Sequence, residues 1–144
     1  MKLDLNHMGY FTEFGENNER MAIPVEPEDI ELIDKLVGVM QHGRREGLLA
    51  LECNDQLGIH DPLFLLGLQL IVDGTDPDWV EEIMMNVIIT SCPESSIDFR
   101  RSLIILKGIQ CVQYGVNPTF GEVILRSFLG KCIYDSPYIS GRLS

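Results

Sequence analysis

The sequence predicts an all-α fold, a compact single-domain bundle of about five to six helices. After Pro27, apolar residues recur at three- and four-residue spacing along most of the chain. Asp-Pro and Asn-Pro pairs, which supply a cap and a first helical residue, stand before three of those stretches. The length of 144 residues and the 45% hydrophobic content match one domain with one core.

The elements follow in order. Residues 1–24 mix Gly, Asn and Glu with the isolated aromatics Tyr10, Phe11 and Phe14 and show no period, so they read as an N-terminal tail or lid. The helical domain is expected over residues 25–134, with a C-terminal tail over 135–144. Ile30, Ile33, Val37 and Met40 line one side of a first helix, and Glu26, Glu28, Asp29 and Glu31 place acid at its positive dipole end. A second helical segment, Arg44 to about Gln56, either continues the first or breaks from it at Gly43. Asp61-Pro62 opens a third helix and Asp73-Gly74 closes it; Gln69 is the one polar side chain from Leu63 to Val72, so this helix is expected to be buried. Asp76-Pro77 opens a fourth, which Cys92-Pro93 stops. Ile97 to Gln113 reads as a fifth, although the β-branched Ile104 and Ile105 weaken it. Asn117-Pro118 opens a last helix through Ile133, and Pro137 closes the ordered part.

The charge of −11 repels phosphate backbones and anionic lipid surfaces, which argues against nucleic-acid binding. The acid is concentrated in residues 1–93, with 18 acidic and 5 basic side chains, against 4 and 6 in residues 94–144. Gly108 to Gly121, the longest uncharged stretch at 14 residues, is shorter than the roughly 18 apolar residues a membrane span needs. No membrane-spanning segment is expected. Met1-Lys2-Leu3-Asp4 does not begin a secretory signal, and Cys53, Cys92, Cys111 and Cys132 contain no CxxC pair; both point to a cytoplasmic protein with reduced, mostly buried thiols.

Two motifs carry a family resemblance: Arg44-Arg45-Glu46-Gly47-Leu48-Leu49-Ala50-Leu51-Glu52, and Asp61-Pro62 followed by Gly67 to Pro77. With the preceding Ile30 to Met40 helix, they make residues 28–90 resemble the large cytoplasmic loop of the MotA branch of the MotA/TolQ/ExbB family, the stator subunits of the flagellar motor. Pro118-Thr119-Phe120-Gly121 is similar to the start of that family's third membrane helix. Here it leads into Glu122, Arg126 and Lys131, each costing about 2.5–3.5 kcal/mol at a bilayer centre. The resemblance thus implies a MotA-like loop domain without the membrane channel, at the periphery of the flagellar motor.

The resemblance also supplies the candidate site. Arg44 and Glu52 match the charged positions through which the family's loop meets the rotor protein FliG, and Arg45 lies close to Glu52 on a common helix, seven residues making nearly two turns. Arg44, Arg45 and Glu52 are therefore the expected partner-binding residues, toward FliG or stator subunits. The same residues also fit an ordinary solvated helix face. Asp61, Asp73, Asp76 and Asp78 read as helix caps, and His42, Cys53 and His60 lack metal-ligand spacing. Neither a nucleotide motif nor a nucleophile constellation is present, so no cofactor, metal or enzymatic activity is expected. Trp79, Met84 and Met85 fit a partner-binding stripe, aromatic and Met side chains being enriched at interfaces, but core packing is the expectation for Trp79 and Met84. The helix after Pro118 could fold back on the domain, meet a membrane protein, or self-associate; in the last case the chain would be a homo-oligomeric scaffold or assembly factor.

Overall fold

A computed structural model describes residues 23–52 and 57–135; of the expected tails 1–24 and 135–144, residues 1–22 and 136–144 lie outside these. The described residues form five α-helices, α1 (Pro27–Glu46), α2 (Pro62–Val72), α3 (Pro77–Thr90), α4 (Ser96–Tyr114) and α5 (Pro118–Arg126), with 3-10 segments at Leu48–Glu52 and Ser127–Asp135 and no strand.

The predicted caps form as short-range chemistry dictates. Asp61 Oδ1 accepts from the Leu63 amide at 2.8 Å, Asp76 Oδ1 from the Asp78 amide at 3.1 Å, and Asn117 Oδ1 from the Thr119 amide at 2.9 Å. Each proline that follows contributes a fixed φ where no amide hydrogen is needed. At the other end of α2, Asp73 is the C-cap residue and its carboxylate accepts from the Gln69 side chain at 2.8 Å. Ile104 and Ile105 stay helical because both are buried in the core, and packing outweighs their weak intrinsic preference.

α1 and α4 lie side by side and parallel. Asp29 meets Arg100 near their first turns, Leu36 presses on Gly108 at mid-length, and Gly43 faces Val112 near their ends. A Cβ added at Gly108 would stand 2.9 Å from Leu36 Cδ1, so the glycine permits this close approach. α2 and α3 form an antiparallel hairpin against α4, where Gly67 lets Ile109 and Met84 come equally near. α5 then runs back along α1 with Gly121 against Met40 and Leu125 fully buried. The last helix packs on the domain, one of the three options its sequence leaves open. The core between these helices is filled by Ile33, Leu36, Phe64, Met84, Ile104 and Ile109.

Three expectations are corrected. The first helix does not break at Gly43 but continues to Glu46, and no α-helix spans Arg44 to Gln56; the structure gives the 3-10 segment Leu48–Glu52, with residues 53–56 outside the described part. Gly43 is a packing glycine whose Cβ would lie 3.2 Å from buried Leu51, whereas Gly47, at φ 90° and ψ 163°, adopts the backbone that turns the chain out of α1. The last α-helix ends at Arg126 rather than Ile133, because the chain tightens from Ser127 and is kinked at Gly130, φ 62° and ψ −119°. Trp79 is not in the core: it is 60% exposed, since the inward stripe of α3 runs through Val80, Met84 and Ile88. Met84 is fully buried as expected.

Candidate functional site

The parallel pairing of α1 with α4 gathers the C-terminal ends of both helices, the α2–α3 turn and the start of α5 at one end of the bundle. The Gln113 side chain donates to the Thr75 carbonyl at 2.8 Å and fastens the α2–α3 turn to the last turn of α4. Arg44 and Arg45 occupy the last turn of α1, where cations are favoured by the helix dipole, and Glu52 ends the 3-10 segment that follows.

All three predicted site residues are exposed. Arg45 Nε lies 3.3 Å from Glu46 Oε1, an exposed neighbouring pair, while Arg44 and Glu52 form no ion pair among the described residues. They do not share one helix, because the turn at Gly47 stands between them, so the two-turn spacing argument for a common face fails. What remains is a charged border around that turn, with Leu51 buried beneath it and Leu49 turned outward. Arg45 also borders a cleft of about 330 Å³ with Lys35, His42 and Leu57. The arrangement offers hydrogen-bonding charge to a partner surface.

The strongest electrostatic feature lies at the opposite end and is a scaffold. Asp29, fully buried, accepts from Arg100 Nη2 at 2.8 Å, from Arg101 Nε at 2.6 Å and from the Glu26 amide at 2.8 Å. Arg100, 5% exposed, also donates to the Ile23 carbonyl at 3.1 Å and the Pro24 carbonyl at 2.6 Å, and Arg101 reaches Glu26 Oε2 at 2.6 Å. Burial alone would raise the Asp29 carboxyl; the Glu26 amide and the two guanidiniums outweigh it and hold the pKa below its ordinary value. The Asp29 hydrogen bond in turn raises Arg101, against the opposing effect of burial. In the sequence Asp29 reads as one more first-turn acid. The signal that could have revealed its role is Arg100 itself, a charge set in line with Leu103 and Ile104 on the apolar side of α4.

The other singled-out residues have local roles. Asp61, Asp73 and Asp76 belong to helix ends, as expected, and among the described residues no three His, Cys, Asp or Glu side chains are grouped to hold a metal ion. Cys111 is buried, which pushes its thiol up, while Cys92 is exposed and so departs from the expectation of buried thiols. Cys53 lies outside the described residues. Glu122 and Arg126 pair at 2.9 Å along α5. Among the described residues no helix is long and apolar enough to cross a membrane.

Fold and site together define a class, a small all-α bundle whose exposed polar feature is a charged helix end. Known proteins add one similarity: a stretch of 56 residues, 38% of this chain, is 39% identical to Motility protein A of Borreliella burgdorferi. The match spans 21% of that relative's length. No family model and no solved structure matches the chain.

Proposed function

We propose that this chain is a non-catalytic, cytoplasmic protein–protein interaction module of the flagellar motor, contacting rotor or stator through the charged border of Arg44, Arg45 and Glu52. The observation that carries the reading is the exposure of all three residues around the turn at Gly47. The similarity to Motility protein A supports the motor context. Recognition would rest on complementary charge, which directs approach and register and weakens as salt screens it over about 8–10 Å. The scaffold alternative rests on the apolar helix Phe120 to Ile133; Gly121 and Leu125 pack within the bundle, while Phe120 is 51% exposed.

A pull-down from a flagellated host at low and high salt, comparing the wild type with Arg44→Glu/Glu52→Lys, tests the reading. It predicts recovery of a rotor or stator protein at low salt, lost in the variant and at high salt. Recovery unchanged by both treatments would contradict it.

A further inference from the structure

Among the described residues α3 packs chiefly against α2 and α4, and Asp78, Trp79, Glu82, Asn86 and Ile89 are exposed along its other side. Trp79 is 60% exposed and Ile89 50%, and their separation of ten positions spans about 15 Å of helix, some three turns. Large exposed side chains on an unpartnered helix commonly mark an interaction surface.

Charge identifies what this face would accept. Residues 46–99 contain eleven Asp and Glu and no Lys or Arg, so no cation of that stretch neutralises the carboxylates flanking Trp79. A second copy presenting the same face would be repelled. The chain's own residues 1–22 carry four acids against two bases and share the sign of the face. An indole flanked by carboxylates is suited to lysine and arginine, whose stems cover apolar surface while their charge meets both the ring face and acid.

We infer that the outer face of α3, centred on Trp79 and flanked by Asp78 and Glu82, docks a basic amphipathic helix of a protein partner. The site shares no residue with the Arg44/Arg45/Glu52 border, and the inference stands independently of the function proposed above.

Trp79 is the one tryptophan of the chain and reports directly on its own surface. The full-length protein is titrated with a short helical peptide bearing leucine on one side and lysine and arginine on the other, and with a counterpart in which glutamate replaces each base. The expected result is a saturable change in Trp79 emission with the basic peptide only, weakened about fivefold by Asp78→Asn/Glu82→Gln and left within about twofold by Glu28→Gln/Glu31→Gln on α1. Far-UV circular dichroism and the urea midpoint establish that each variant is folded. Equal binding of both peptides, equal weakening by the two variants, or self-association that buries Trp79 without peptide would each overturn the inference.

Discussion

Removing the Asp29 carboxylate should be among the most damaging single changes in the bundle. Asp29→Ala deletes one hydrogen bond from a backbone amide and two charge-assisted bonds from guanidiniums, at 2.8, 2.8 and 2.6 Å. A neutral bond contributes about 1 kcal/mol and a charged one about 1.5–3 kcal/mol, and Arg100 remains buried without its counter-ion. Water can still reach Arg101, whose side chain is partly exposed, which lowers the sum toward the roughly 3–5 kcal/mol typical of a broken buried pair. For a chain of this size that corresponds to a fall in Tm of roughly 6–20 °C. Urea unfolding followed by circular dichroism measures it, with Glu31→Ala as the internal comparison. Glu31 pairs with Lys35 at the surface, and its loss should cost no more than about 0.5 kcal/mol. If Asp29→Ala cost under about 1 kcal/mol, or no more than Glu31→Ala, the assignment of Asp29 as the tie between α1 and α4 would be wrong.

Because the folded pKa of Asp29 lies below its unfolded value of about 3.9, its contribution is full above roughly pH 5 and is lost as pH falls through the folded value. The stability gap between wild type and Asp29→Asn, measured by urea unfolding from about pH 6 downward, should therefore narrow with acid; a constant gap would contradict the ionic account. Gly67→Ala places a methyl 2.8 Å from Ile109 Cγ1 and should destabilise by about 1–3 kcal/mol in the same assay. In a chain carrying Cys53→Ser and Cys132→Ser, a disulfide reagent should modify exposed Cys92 promptly and Cys111 only on unfolding, because Cys111 is buried and its thiolate disfavoured.

Most helix starts were legible because their causes are local. An aspartate or asparagine before a proline satisfies an amide two residues on, and nothing distant enters. The helix ends were less so. Gly43 and Gly47 look alike in sequence, and the difference is that Leu51 packs on one while the backbone at the other turns to positive φ. Gly130 likewise kinks the 3-10 segment after α5 through a conformation that periodicity does not encode. The Asp29–Arg100 pair joins residues 71 apart, a separation at which a single sequence carries no register. Helical spacing points Trp79 to the core, yet its position lies one residue before the inward stripe of α3. Of the candidate site, the residues follow from the motif, whereas their exposure is seen only in the fold. Their arrangement does not, since the turn at Gly47 replaces the continuous helix on which a shared face was drawn.

The central claim is that Arg44 and Glu52 meet complementary charge on a motor protein. Calorimetric titration of the full chain against purified FliG and against a stator cytoplasmic loop, at low and high salt, tests it most directly. Wild type, Arg44→Glu, Glu52→Lys and the double variant are compared. The account predicts binding by the wild type to one of the two, weakened by each single reversal and by salt. Binding to neither, or affinity untouched by both reversals, would contradict it.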